Sequence, residues 1–162
     1  MASLHGFTSK EKFEARRALE MSIAGLAAER ATGEQLASLA EEMAGMYASL
    51  DAPEEYLLHD MNFHQMVAAA SGNRILTALM NMVAAVLLDA RRKTVRRAQD
   101  LKESAEMHRT IYRAIRDRNS EAAQDAMRDH LLLAQKAQES EVDWAGGGGD
   151  QGQRKGADEE AA

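Results

Sequence analysis

Three imidazoles and one carboxylate fall where apolar core residues would be expected, and together they form a donor set for a divalent metal ion. Asp60 and His64 are four residues apart, so on a helix they stack on one face with Leu57, Val67 and Ala68. His108 lies in the stripe Leu101, Ala105, Ile111, Tyr112 and Ile115, and His130 in the stripe Ala123, Ala126, Met127, Ala134 and Ala137. A single inward His can be satisfied by a backbone carbonyl. A carboxylate and three imidazoles leave many polar atoms, each costing about 1–3 kcal/mol when unpaired. A divalent ion removes those costs together, since structural zinc sites release on the order of 10–16 kcal/mol in favourable peptides. Three His and one Asp suit tetrahedral zinc, or nickel, manganese or iron at higher coordination with open positions. The chain has no Cys, which excludes thiolate ligands. Four separately satisfied side chains remain the alternative, because the meeting of three helices at one point is assumed rather than read. His59 points about 100° away from Asp60 and is read as a surface residue, and His5 is given no role.

Helices must position these residues, and the composition supplies them. Ala, Leu, Met, Glu, Arg and Gln dominate, Pro occurs once at Pro53, and β-branched and aromatic residues are scarce. The periodicity predicts an all-α, antiparallel bundle of about six helices. The first runs from a cap at Ser9 to Arg30, and the second from the capping box Thr32 and Gln35 to about Leu50. A third opens with Asp51, Pro53 and Glu54 and runs to about Ser71, where Gly72 stops it. Asn73 caps a fourth, apolar nearly all round from Ile75 to Leu88, and the polar stretch Arg91 to Asp100 reads as a frayed end or turn. Leu101 to Arg118 and Ser120 to Glu139 complete the set, with Asn119 between them. Residues 9–140 thus form one domain after a flexible start at 1–8. The Gly-rich acidic segment 141–162, with Gly146 to Gly149 in a row, has too little apolar surface to order itself.

Charge narrows the function. From Glu139 onward there are seven acids and two bases, so the chain's 26 acids and 20 bases leave 19 and 18 for the rest. The nearly neutral body lacks the basic footprint of an autonomous nucleic-acid binder. The longest apolar run, near Val83 to Leu88, is far short of the roughly 20 residues of a membrane span, and the N-terminus lacks the features of a signal peptide. The expectation is a cytoplasmic protein with no membrane partner.

Several segments match a known pattern: Glu14-Ala-Arg-Arg-Ala-Leu-Glu20, Leu26-Ala-Ala-Glu-Arg30, Asp60-x-x-Phe63-His64, Ala70-Ser-Gly-Asn-Arg-Ile-Leu76, His108-x-x-Ile111-x-x-Ala114-Ile115, and Ala122 to Met127 with His130-Leu131. In these the chain resembles, from about Phe13 to Glu139, the effector-binding FCD domain of the FadR-type branch of GntR transcription regulators. The resemblance implies metal ligation by Asp60, His64, His108 and His130, and sensing of a small organic acid whose carboxylate reaches the metal. Arg16 matches the family's first-helix Arg and suits bidentate capture of a carboxylate; the plainer reading is an exposed residue paired with Glu20. The cluster Arg91-Arg-Lys93 and Arg96-Arg97 reads as a solvated helix end, or one of its arginines helps hold an anion. The resemblance also implies a homodimer, for which Ile75, Leu79, Met82, Val83, Val86 and Leu87 offer a surface. Family regulators carry a winged helix-turn-helix domain before this one. Only about a dozen residues precede the match here, so DNA would be reached only through a domain absent from this chain, whether fragment or free-standing sensor.

The function expected is therefore a ligand-sensing domain and not an enzyme. Two alternatives are a metal-dependent hydrolase or hydratase, using metal-bound water at an open position, and a structural, metal-stabilised helical interaction protein.

Overall fold

Short polar side chains that take up free N–H groups set most of the helix starts. The computed structural model describes residues 6–97 and 101–146, and among them are six helices and no strand. They are α1 (Ser9–Arg30), α2 (Gly33–Ala48), α3 (Pro53–Ala70), α4 (Arg74–Arg97), α5 (Leu101–Arg116) and α6 (Ser120–Gly146). The expected all-α bundle is thus found. Thr8, rather than Ser9, caps α1: its Oγ1 accepts from the Glu11 N–H at 3.2 Å while Glu11 Oε2 accepts from the Thr8 N–H at 2.7 Å. Thr32 and Gln35 form the predicted box on α2. On α3 the Asp51–Glu54 box does not form; Ala52 is the cap residue without a side-chain bond, and Pro53 sets the first turn by its fixed φ. Gly72, at φ 66°, turns the chain out of α3, and Asn73 Oδ1 then accepts from Ile75 and Leu76 to open α4.

The largest departure from the sequence reading is at the end of α4. The polar stretch from Arg91 stays helical to Arg97 because its cations have acids to meet on α3: Arg96 bonds Glu54, Arg92 Nε lies 3.7 Å from the same carboxylate, and Arg91 pairs with Asp60. Local polarity reads as fraying; the partners that hold this turn are roughly thirty to forty residues away. At its other end, α6 continues to Gly146, past Glu139. The expectations for residues 1–5, including His5, for 98–100 and for 147–162 fall outside the described residues.

Small residues set how closely the helices approach. The inner face of α1 is Ala24, Ala27 and Ala28, and α6, its most extensive neighbour, answers with Ala123 and Ala126. At Gly25 the approach is closest: an added Cβ would lie 2.7 Å from Gln124 Nε2, and Ser120 Oγ donates to the Gly25 carbonyl at 3.1 Å. Around this seam Ile23, Leu39, Met46, Phe63, Val67, Ile111, Ile115, Met127 and Leu131 form one core. Each such side chain contributes about 1.5–3 kcal/mol on leaving water. With α1 packed against α3, α5 and α6, and α5 against α6, the polar residues on their inner stripes have one interior to share.

Candidate metal and ligand site

Asp60, His64, His108 and His130 are all buried and each offers a donor atom, the four atoms lying within 4.8 Å of one another. The three rings turn the same nitrogen inward. Nε2 of His64 is 3.2 Å from Nε2 of His130 and 3.3 Å from Nε2 of His108, and Asp60 Oδ1 is 2.7 Å from the His108 nitrogen and 3.6 Å from that of His64. Phe63 stands edge-on to His108 at 5.1 Å between ring centres and to His64 at 6.0 Å, so a core aromatic braces two of the rings.

The outer nitrogens settle where the protons are. His108 Nδ1 lies 2.7 Å from the Ser104 carbonyl, which can only accept, so Nδ1 carries the proton and Nε2 of the neutral ring is a lone pair. His64 Nδ1 is in ion-pair contact, 2.7 Å, with Glu20 Oε2, which imposes the same tautomer. His130 Nδ1 is buried without a partner. Burial pushes His108 and His130 well below the usual imidazole range, with further lowering from neighbouring imidazoles, so both are neutral near pH 7. Lone pairs about 3.3 Å apart repel. Donors held at roughly 2.0–2.1 Å around a tetrahedral cation sit at that same mutual spacing of about 3.3 Å. A cation is what these residues can hold together.

Glu20 and Arg91, neither singled out as a site residue by sequence reasoning, complete the surroundings. Burial alone would raise the Glu20 carboxyl, but Arg16 and His64 outweigh it and hold the group well below the carboxylate range. Arg16 Nε donates to Glu20 Oε1 at 2.6 Å, so the expected pair exists, yet it is buried rather than exposed and its Nη2 has no partner. Arg91, read as one of a solvated group, is instead tucked against Asp60, and burial with the nearby Arg16 charge lowers it to about 9. A signal for it existed: Met80, Ala84 and Leu87 form the buried stripe of α4, and Arg91 is the next position on it. Leu87 therefore faces the core and not a dimer surface. His59 lies outside the cluster, as expected, but it is not free: it meets Glu42 at 2.8 Å over Gly45 of α2.

Beside the cluster opens a cavity of about 330 Å³ whose wall includes Arg16, Tyr56, Asp60, Arg91 and His130. The arrangement joins a cation-ready donor set to two guanidinium groups on the wall of one largely apolar chamber, which suits an anion with a carbon body.

Comparison with known proteins places the fold. A family profile for the FCD domain matches residues 11–133. The HTH-type transcriptional regulator LutR of Bacillus subtilis (strain 168) is 33% identical over 130 residues, covering 75% of this chain and 58% of that protein. The HTH-type transcriptional repressor NanR of Klebsiella aerogenes is 34% identical over 116 residues, 69% of this chain and 44% of the repressor. Among solved structures, Streptococcus agalactiae GntR superposes with a TM-score of 0.70 at 32% identity, covering 83% of this chain and 62% of that one. E. coli McbR/YncC gives 0.72 at 16% identity, over 82% and 65%, a likeness of fold. The chain spans about half the length of the curated relatives it matches.

Proposed function

Because the chain belongs to the FCD domain family of GntR-type transcriptional regulators, we propose that it is the effector-binding part of such a regulator, holding a divalent metal ion and reading a small carboxylate. Asp60, His64, His108 and His130 are the metal ligands in this reading, with zinc first among the candidates and nickel, manganese and iron able to use the same donors. The observation that carries it is the convergence of inward Nε2 atoms, two of them on rings whose Nδ1 protons are committed to Ser104 and Glu20. The metal supplies a Lewis-acidic point for the ligand's carboxylate. The chain's own part is to orient the imidazoles and to place the Arg16 guanidinium on the wall of the same cavity.

The named relatives are transcriptional regulators rather than enzymes, and the site is read accordingly as one that binds and releases. DNA would be engaged through a separate domain, and two copies would meet through α4, whose Ile75 and Met82 are 71% and 66% exposed with Leu79 and Val86 beside them on one stripe. No described helix is long and apolar enough to cross a membrane. The test is metal analysis of the purified chain, followed by melting with and without small carboxylates. One metal per chain and a carboxylate-dependent rise in melting temperature are expected. Absence of stoichiometric metal, together with unchanged carboxylate binding in a His108→Ala, His130→Ala double variant, would overturn the proposal.

A further inference from the structure

Two buried donors on the cavity wall lack an acceptor. Arg16 commits Nε to Glu20 and leaves Nη2 without a partner, and the Tyr56 hydroxyl, on a residue only 1% exposed, has the Ser104 side chain as its neighbour but no carbonyl or carboxylate to receive its proton. An unpaired buried donor costs about 1–3 kcal/mol, and Phe would fill the same space without that cost. Tyr56 precedes Asp60 on α3 by four residues, and Asp60 precedes His64 by four. Tyr56 thus shares a helix face with the candidate metal ligands, its Cβ one helical turn or about 5–6 Å from that of Asp60. Arg91, already against Asp60 Oδ2, shares that stretch of wall and lies near enough to act electrostatically on the phenol.

Building on the reading that a carboxylate completes the metal site, we infer that the ligand is a dianion. It is a small diacid whose first carboxylate meets the metal and Arg16, and whose second is received by the Tyr56 hydroxyl and Arg91. Tyr56 and Asp60 are one helical turn apart, a spacing that a four- or five-carbon diacid can bridge with its two carboxylates, and the cavity of about 330 Å³ has room for it. Charge bookkeeping points the same way. Arg16 and Arg91 balance Glu20 and Asp60, and a histidine ring that ligates a cation does so without charge, so a divalent cation brings two charges that no buried residue of the site offsets. A monoanion leaves one of them uncompensated in a poorly solvated interior, whereas a dianion leaves none.

Calorimetric titration of the zinc-loaded full chain tests this, with succinate, malate and glutarate set against butyrate, 3-hydroxybutyrate and valerate. The diacids are expected to bind at least about tenfold more tightly than their monoacid counterparts. Tyr56→Phe is expected to shrink that preference severalfold, while the ligand-free variant melts at or above the temperature of the unaltered protein because an unsatisfied hydroxyl is gone. Monoacids binding as tightly as diacids, or a preference that survives Tyr56→Phe, would overturn the inference and leave the carboxylate-sensor reading standing. If neither class binds the zinc-loaded chain, both fall.

Discussion

Glu20 Oε2 and His64 Nδ1 lie 2.7 Å apart, joining α1 to α3 and fixing which nitrogen of the ring faces the donor cluster. Removing the charge while keeping the shape isolates this role. Glu20→Gln is expected to weaken metal binding by about 10–100-fold, the usual effect of losing a carboxylate behind a ligating His. Competition against a chelating dye measures it, and unchanged affinity would separate Glu20 from the metal site.

The ligands themselves should matter more. His108→Ala and His130→Ala should each reduce metal affinity beyond the roughly 100-fold upper range of such outer groups, while His59→Ala, on a ring that meets Glu42 and not the cluster, should leave it unchanged. Equal losses in all three would mean that binding is adventitious.

Packing and ligation are linked through Phe63, fully buried and edge-on to two of the rings. Phe63→Ala should lower unfolding free energy by about 3–5 kcal/mol in denaturant titration. It should also loosen metal binding in the variant that remains folded, because the cavity frees His64 and His108 to turn.

Acid should destabilise the metal-free protein. In the native state His108 and His130 take up protons only well below the range near pH 6.5 where the unfolded chain takes them up. Below about pH 6.5 the unfolded state therefore binds more protons, and stability falls as pH falls, by at most about 1.4 kcal/mol per pH unit for each ring. Above that pH neither ring contributes a slope. Melting of chelator-treated protein between pH 5 and 8 reads this directly, and a flat profile below 6.5 would contradict the buried, neutral rings.

The outward stripe of α4 gives a fifth expectation. Met82→Glu places a charge in the middle of the exposed row Ile75, Leu79, Met82 and Val86, and sedimentation should show monomers where the unaltered chain shows dimers. An unaltered chain that is already monomeric would remove α4 from consideration.

Much of this was legible in the sequence because it is periodic. Helical spacing located all six helices, and the four polar residues interrupting apolar stripes located the cluster. Most of what escaped depended on distant partners. Glu20 looks like any exposed helix acid until α3 is laid across α1 and His64 meets it. Arg91 sits in a run of five cations whose local character says solvent, and only its place after Met80, Ala84 and Leu87 says otherwise. Thr8 and Ser9 are adjacent hydroxyl residues, and choosing between them requires the geometry of Glu11.

Because α4 is unbroken from Arg74 to Arg97, the guanidinium on its inward face and the apolar row on its outward face belong to one stiff rod. Ile75 and Arg91 are about 24 Å apart along it at 1.5 Å per residue. Whatever pulls Arg91 away from Asp60 must either bend that rod or roll it, and no Pro or Gly interrupts it to make bending easy. Rolling carries the outer row with it, so an event in the buried chamber alters the face a neighbour would touch without any relay of intermediate contacts.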